Sequence, residues 1–584
     1  MLREENMGKT RQIRIGTLLI VLMMFYIYSA ECQFNGGVKL FGDGIFHVQR
    51  ILEIRNAFLH LQIPNWVNFS TFFGIGQAVN GMYPDLTLWP LVLITNFLSP
   101  QHQIATINFL IFFLTLIVTW LSLIANKVNG EMAFYLATIY PFSGYTLYQF
   151  LSEIQPGVAI INIFAFPIFF VSKDLLESKK VDISLICKFS LCIILIAFSH
   201  LLSLVVYGFL FVSVILFRIL QRKINVKFFV NILLSLPLVL VGISPMLYRV
   251  LKISSSGILK PFGEGHIKAA TLSEMLNFIS WQSREQLSIA SLVLLIIVYS
   301  FFNSNIKTKL IRLSVLEGYI FILCLKAFPW KLFNHVPLIN NLQYTQWRFG
   351  IWLSVIPIIM FANNFKGYQQ IVGIKISHIL ALLSVILSIT AQAYLISGQV
   401  LRLSNDAITQ IMDPTPISSD QKKAIMAMGE HPDYFPNVPN VKNKKYELSS
   451  TRLEWIWNQK VKIGNKSYDF VEKPESQRIQ FYVENIGAKK ATKIELPILC
   501  YRSLNYYVTL NNKRVQYRAN RQGNMVIDKA KATGPMIIDV QLIMPRVYKI
   551  LLSTSFIAII LMLIMIIKSY RREIIESKKS KFEY

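Results

Sequence analysis

Long apolar runs separated by short polar connections dominate this chain, and the pattern predicts helices that cross a membrane. A crossing helix needs about 20 mostly apolar residues to span about 30 Å of hydrocarbon. The predicted spans are 13–30, 104–126, 131–150, 156–171, two within 184–220, 228–251, 287–302, 310–327, 349–361, 374–396 and 547–567.

The apolar stretch 184–220 is predicted to form two spans. At about 1.5 Å per residue, a single helix of this length would be far longer than the membrane is thick. Basic residues flank both ends, among them Lys180 and Arg222. Since cytoplasmic connections carry an excess of Lys and Arg, both ends should face the cytoplasm. The chain should therefore turn near Ser199 and His200, which places His200 near the outer face.

Basic clusters also set the orientation of the whole chain. Arg3, Lys9 and Arg11 precede the first span, so the N-terminus should lie in the cytoplasm. Twelve spans place both termini inside and satisfy the other clusters. The first outer loop is then residues 31–103, and its apolar run 86–98 is too short to cross, so we expect it at the interface or re-entering.

Between 398 and 546 the pattern changes to short runs of β-branched and aromatic residues separated by Asn and Gly turns. Asn511-Asn512 indicates a hairpin turn. The predicted strands are 479–483, 493–499, 506–510, 525–527 and 536–542. The sequence therefore predicts a polytopic α-helical membrane domain (1–397), an extracytoplasmic β-sandwich (398–546), and a final span with a basic cytoplasmic tail (547–584).

Composition agrees with a membrane protein and excludes an ordinary soluble one. The chain is 53% hydrophobic and 16% charged, with a mean hydropathy of +0.46. Its net charge of +27 comes from clusters between apolar runs, which is typical of membrane topology and not of a nucleic-acid-binding face. The five cysteines are far apart and show no disulfide or metal-binding spacing.

The first candidate site follows the first span, in the segment 41–50. If the chain is helical from Asp43, then Asp43, His47 and Arg50 lie at i, i+4 and i+7 and share one face. An acid, an imidazole and a guanidinium together could handle a hydroxyl and a phosphate. Alternatively, Asp43 caps the helix through its carboxylate while His47 and Arg50 face water.

Other uncommon polar groups are predicted on the same side of the membrane. Ionisable residues that border spans are costly and usually line a cavity. Three of them have simpler interpretations: Arg348 as a snorkelling cation of an aromatic belt, His200 as a packing residue, and Glu153 as a helix cap before Pro156. These candidates are Asp85, Glu153, His200, Lys326 and Arg348.

Five motifs resemble bacterial YfhO-like membrane proteins, which are also catalogued as "6-pyruvoyl-tetrahydropterin synthase-related". The resemblance covers the membrane region and, more loosely, the outer sandwich. The motifs are Gly42-Asp-x-x-Phe-His-x-x-Arg50, Tyr83-Pro-Asp-Leu, Phe198-Ser-His-Leu-Leu-Ser203, Phe328-Pro-Trp330 and Leu342-Gln…Trp347-Arg-Phe349.

This resemblance implies the GT-C superfamily of glycosyltransferases, multispan enzymes that use polyprenyl-phosphate sugars. Asp43 would be the general base, and Arg50, Arg348 or Lys326 would neutralise the lipid phosphate. His47 and His200 would orient phosphate or sugar, and 86–98 with neighbouring spans would hold the isoprenoid tail. The acceptor would be an envelope glycan, glycolipid or protein at the outer face of a bacterial plasma membrane.

The chain departs from the family pattern in three places. A second acid is expected where Gly44 stands, an arginine is expected before Glu153, and the spacing from Gln343 to Trp347 is wider than in the family. We therefore predict no metal and no cofactor. These departures motivate an alternative function, a non-catalytic scaffold or transporter for lipid-linked saccharides. An ion-coupled transporter is less favoured because inverted halves and broken midplane helices are not evident.

Overall fold

The computed structural model describes residues 38–40, 43–143, 145–146, 149, 154–258, 267–280, 307–365, 370–396, 401–403, 434–436, 460–484, 491–531 and 534–582. The predicted spans 13–30 and 287–302 and the candidate residue Glu153 fall outside this part of the chain.

Helices make up most of the described structure. Short 3₁₀ turns at Phe72–Gly74, Trp330–Phe333 and Ile339–Asn341 lie between them. The helices are α1 (Gly44–Leu59), α2 (Val79–Met82), α3 (Leu88–Thr95), α4 (Pro100–Ala125), α5 (Gly130–Ile139), α6 (Pro156–Leu176), α7 (Ile183–Ser199), α8 (Leu201–Leu220), α9 (Val226–Ser254), α10 (Leu272–Ser280), α11 (Lys307–Cys324), α12 (Thr345–Asn364), α13 (Gln370–Ile396) and α14 (Arg546–Phe582).

Six of the described helices are long and apolar enough to cross a membrane: α4, α6, α8, α9, α12 and residues Arg546–Arg572 of α14. Their mean hydropathy ranges from 1.2 to 2.9. Helix α7 and residues Gln370–Ile386 of α13 are shorter apolar helices. These helices indicate a membrane-embedded protein, whereas the count of twelve spans and the sidedness stay predictions.

The long apolar stretch breaks where the sequence predicts. Helix α7 ends at Ser199, α8 begins at Leu201, and His200 between them has extended backbone angles. Exposed apolar side chains on the outer face of α9 include Leu233, Leu236 and Leu240, which are 65%, 49% and 56% exposed. Such a face suits lipid and not water as its surroundings.

Helix α12 occupies the interior of the helical bundle. Its residues from Phe349 to Phe361 are buried, although Pro357 lies within it. It packs mainly against α11 and also contacts α5, α6 and α8. Side chains near its start therefore lie between several helices, which positions them to line a cavity.

Residues 43–99 form a compact layer against the membrane helices rather than an open loop. Helix α1 is buried from Gly44 to Ile54 and contacts α3 and α4. The apolar run 86–98 forms the short helix α3, whose eight residues are too few to cross a membrane. Strand β1 (Val38–Leu40) precedes α1 and pairs with β2 (Leu401–Leu403), which closes this layer against a distant part of the chain.

Ten further strands form two five-stranded antiparallel sheets near the C-terminal end. Their orders are β10-β11-β7-β3-β4 and β5-β6-β12-β8-β9. The strands are β3 (Val461–Ile463), β4 (Lys466–Tyr468), β5 (Val471–Pro474), β6 (Arg478–Val483), β7 (Ala491–Leu499), β8 (Tyr506–Leu510), β9 (Lys513–Arg514), β10 (Tyr517–Ala519), β11 (Asn524–Lys531) and β12 (Met536–Leu542).

The two sheets bury one face each, as predicted for a sandwich. Alternate residues of β6 and β12 are buried, which is the period of a strand with one face on a core. The Tyr506 backbone N–H donates to the Tyr517 hydroxyl at 2.8 Å and so joins the sheets. The predicted Asn511-Asn512 hairpin is confirmed, because both residues have the positive φ (48° and 63°) that a type I′ turn requires.

The sandwich rests on the loop that follows α1. The Leu499 N–H donates to the Ile75 carbonyl at 2.7 Å, and the Ala78 N–H donates to the Tyr501 hydroxyl at 2.9 Å. A side chain at Gly76, whose φ is +71°, would approach Ile498 to 3.1 Å. The loop is therefore shaped to fit the sandwich closely.

A buried ion pair fastens α9 to the start of α3. Arg249 Nη2 lies 2.8 Å from Asp85 Oδ1, and the two side chains are 1% and 0% exposed. The Trp89 indole donates to Asp85 Oδ2 at 3.0 Å, and Arg249 also donates to the Tyr83 carbonyl at 3.4 Å. Asp85 therefore attaches the layer formed by residues 43–99 to the membrane helix α9.

We expect Arg249→Met to destabilise the protein by about 3–5 kcal/mol, because it leaves the Asp85 carboxylate buried without its cation. The double variant Asp85→Asn/Arg249→Met should recover much of this loss, since asparagine keeps an oxygen for Trp89 and carries no charge. Thermal unfolding in detergent measures both. A single variant as stable as the wild type would contradict a structural role for the pair.

Candidate functional site

The candidate site is built on α1. Asp43 stands at its N-terminus and is exposed; its carbonyl accepts from the His47 N–H at 3.2 Å, and its carboxylate does not cap the helix. His47 and Arg50 are 3% and 0% exposed. The alternative in which these two residues face water is therefore wrong, because the layer packed over α1 covers them.

The Arg50 guanidinium is held inside the protein by neutral groups. Nη2 donates to the Pro84 carbonyl at 2.7 Å, Nη1 lies 3.1 Å from His47 Nδ1, and Cζ lies 4.0 Å from the centre of the Tyr83 ring. Since a guanidinium only donates, Nδ1 of His47 is the acceptor. Among the described residues no carboxylate forms an ion pair with Arg50, and its Nε has no hydrogen-bond partner. Burial consequently lowers the pKa of Arg50.

Tyr83 lies at the centre of this cluster. Its ring contacts the guanidinium of Arg50 and the rings of Phe46, His47 and His200 at centroid distances of 6.1, 5.6 and 5.8 Å. The sequence places Tyr83 in a motif but gives it no role in the site. Only the fold shows that it joins α1 to the turn between α7 and α8.

His200 caps α8 through its ring. Nδ1 accepts from the Ser203 N–H at 3.2 Å and lies 2.8 Å from Ser203 Oγ. Burial, followed by the positive charges of Arg348 and Arg50, holds the pKa of His200 well below its usual value. The Thr87 hydroxyl donates to the Phe198 carbonyl at 3.3 Å and lies 2.9 Å from Ser199 Oγ, and these contacts fix the same turn.

Arg348 enters the cluster from the first turn of α12. It is half-buried, with Nε donating to the Leu342 carbonyl at 3.3 Å and Nη2 donating to Gln343 Oε1 at 2.9 Å. None of the described carboxylates pairs with it. The positive charges of Arg348 and Arg50 both lower the pKa of His200, so both cations act on that ring.

A small cavity, with room for about one water molecule, adjoins Arg348 between the membrane helices. Its wall is mostly apolar, and its few polar groups come from Ser203, Arg348 and four aromatic residues. It is lined by Tyr145, Val158, Ile161, Ala165, Ile168, Ile196, Ser203, Val206, Tyr207, Trp347, Arg348, Ile351 and Trp352. The Tyr145 hydroxyl donates to the Trp347 carbonyl and fixes one wall.

The structure thus brings His47, Arg50 and His200 around Tyr83, while the charge of Arg348 acts on His200. It places Asp85 in the ion pair with Arg249, where both carboxylate oxygens are occupied. Lys326 is exposed, and its charge acts on Glu274 of α10. In the described part of the chain, His, Cys, Asp and Glu side chains nowhere gather in a group of three or more that could hold a metal.

Glu53, one turn beyond Arg50, anchors the loop under the sandwich. Its carboxylate accepts from the N–H groups of Phe69 and Ser70, each at 3.1 Å, and from the Thr71 hydroxyl at 2.8 Å. Complete burial raises its pKa from 4.5 to about 7. The helix that carries Arg50 is therefore tied to the loop by a titratable group that sequence patterns did not reveal.

Comparison with protein-family models, with curated proteins and with solved structures finds no match for this chain. Its chemistry is therefore inferred from the cluster and the cavity themselves.

Stability should depend on Glu53 and on pH. Between about pH 4.5 and 7 the folded protein keeps a proton on Glu53 that the unfolded chain has released, so stability falls as pH rises through this window. The loss should reach about 3 kcal/mol. The unfolding temperature of the wild type, measured relative to that of Glu53→Gln, should therefore be lower at pH 8 than at pH 5.

The exposed Glu177 supplies the control, because Glu177→Gln should give the same difference from wild type at both pH values. If the Glu53→Gln difference is equally independent of pH, Glu53 does not titrate in this window.

Proposed function

We propose that this protein is a membrane glycosyltransferase that moves a sugar from a polyprenyl-phosphate donor to an acceptor at the outer face of the membrane. The observation that carries the proposal is the pair of cations, Arg50 and Arg348, that act on the neutral ring of His200 beside an apolar cavity lined by Arg348. A lipid phosphate has this combination of an anionic head and an apolar tail.

Arg348 is the better ligand for the phosphate of the two arginines. It is half-buried and lines the cavity, and a guanidinium matches phosphate oxygens with paired donors. Arg50 is fully enclosed, so it contributes through its positive field and through the Tyr83 ring that it holds. The first isoprene units of the donor would lie against the apolar side chains of α6, α8 and α12 that line the cavity, which would have to widen to admit them.

Asp43 is proposed as the general base. Its carboxylate is exposed at the end of α1, one turn before His47, where an acceptor could reach it. Asp43 would take the proton from the acceptor hydroxyl while the oxygen of that hydroxyl bonds to the anomeric carbon. The bond from that carbon to the phosphate oxygen breaks, and the lipid phosphate leaves as an anion. General bases typically supply about 10²–10⁴-fold in rate.

The proposal includes the sidedness predicted from charge, with both termini in the cytoplasm of a bacterial cell and the sandwich outside. It also includes membership of the YfhO-like group within the GT-C superfamily. The acceptor would be an envelope glycan, glycolipid or protein. Because the sandwich rests on the loop after α1, it is placed to guide such an acceptor toward Asp43.

A second candidate function is a scaffold or transporter that binds lipid-linked saccharide without forming a glycosidic bond. It is favoured by the contrast between Asp43, which is exposed, and Arg50 and His200, which are buried. Gly44 beside Asp43 points the same way, since a second acid is absent there. In this function the cluster would bind the phosphate, and Asp43 would have no chemical role.

Replacement of Asp43 by asparagine should lower sugar transfer at least about 100-fold while donor binding is kept, because the base is lost and the cationic cluster stays. Purified protein, a labelled polyprenyl-phosphate sugar and envelope acceptor provide the assay. Asp469→Asn is the matched control, since Asp469 is an exposed aspartate in the sandwich. Undiminished transfer by Asp43→Asn would exclude Asp43 as the base.

Wild-type protein that binds donor but transfers no sugar to any envelope acceptor would instead favour the scaffold or transporter.

A further inference from the structure

We infer that His200 binds the phosphate as a neutral imidazole, donating a hydrogen bond from Nε2–H, and that the first turn of α8 fixes this tautomer. The inference rests on the proposed function for the source of the phosphate, a lipid-linked donor. It adds the atom that makes the contact, the protonation state of the ring, and Ser203 as a positioning residue.

The tautomer follows from the contacts of Nδ1. The Ser203 backbone N–H can only donate, and it points to Nδ1 at 3.2 Å, so Nδ1 carries a lone pair. The Ser203 hydroxyl, at 2.8 Å, can donate to the same atom. In the neutral ring the proton therefore lies on Nε2. The residue cannot serve as a general base through Nδ1, because that lone pair is engaged in capping α8.

The surroundings keep this ring neutral. The groups that face it are the guanidinium of Arg348 from α12, the guanidinium of Arg50 from α1 and the ring of Tyr83, in addition to Ser203 on its own helix. Two cations and burial disfavour a third positive charge, and accordingly the pKa of His200 is lowered. The ring is thus a lasting hydrogen-bond donor near neutral pH.

Nε2–H is left to a ligand. The His200 side chain is only 6% exposed, and within the described part of the chain no residue accepts a hydrogen bond from Nε2. Nε2 is not fully enclosed, so an anion can reach it and accept this hydrogen bond. His200 itself is not part of the cavity wall, but Ser203, which contacts its ring, and Arg348, whose charge acts on it, both line the cavity, so the anion would lie between Arg348 and the ring.

Two substitutions separate the outer donor from the helix cap. In His200→Asn the side-chain oxygen can take the place of Nδ1 and keep the cap, but the side chain is too short to donate from the Nε2 position. In His200→Gln the amide nitrogen can reach the Nε2 position, while the cap is weakened. His200→Gln should therefore keep ligand binding but lose stability, whereas His200→Asn should keep stability but lose ligand binding.

The experiment measures equilibrium binding of a polyprenyl phosphate, inorganic phosphate and the uncharged polyprenol to the detergent-solubilised full chain. His200→Asn should weaken binding of the polyprenyl phosphate about tenfold, the loss expected for one hydrogen bond to a charged group, and leave polyprenol binding unchanged. His200→Gln should stay within about threefold of the wild type. The control is His102→Asn, an exposed histidine whose Nδ1 also contacts a serine.

Equal binding by His200→Asn and the wild type would overturn the inference, and so would equal losses in the two variants, which would indicate a packing role. A wild type that does not prefer polyprenyl phosphate to polyprenol would also overturn it. Inorganic phosphate that binds as tightly as the lipid, with the same sensitivity to His200→Asn, would keep the donor atom but make free phosphate the ligand. Donor binding of the predicted kind without sugar transfer would refute the glycosyltransferase and leave this inference standing.

Discussion

The enclosure of the Arg50 guanidinium is the constraint on which the layer formed by residues 43–99 depends. A full positive charge is enclosed with a carbonyl, an imidazole and an aromatic face as its partners, so the segment that supplies them must stay in place. That segment, Tyr83 to Thr87, has two further attachments: Arg249 binds Asp85, and Thr87 binds the turn before His200. Helices α1, α7 and α9 therefore all contact the five residues from Tyr83 to Thr87. These contacts hold Arg50 and His200 against the same Tyr83 ring.

Part of this architecture is present in local sequence patterns. The break at His200 follows from the length of an apolar stretch and the basic residues at its ends, because hydrocarbon thickness limits a helix and charge selects a side. Strands β8 and β12 have the predicted bounds, since alternation with a period of two marks a half-buried strand. The asparagine pair between β8 and β9 is likewise a local signal, because few residues accept positive φ.

The candidate site could be predicted only in part. Spacing on α1 identified His47 and Arg50, but it suggested that one side of the helix faces water, and the structure covers both residues with a layer that comes from elsewhere in the chain. Asp85 and Arg249 are 164 positions apart, and no pattern in either segment shows that they meet. The same holds for the central position of Tyr83 and for the cavity beside Arg348, which four separated regions enclose. Lys326 could be assigned to a membrane rim, but its neighbours could not.

The pairing of β1 with β2 has a consequence for biogenesis. Val38 is opposite Leu403, so the strand that precedes α1 has no partner until more than half of the chain has been made. At ribosomal speeds this interval is on the order of tens of seconds. The loop after α1 waits even longer for Leu499 and Tyr501. Newly inserted molecules must therefore pass through a stage in which the membrane helices are in place while the outer layer is unfinished, and a chain truncated before the sandwich would be arrested there.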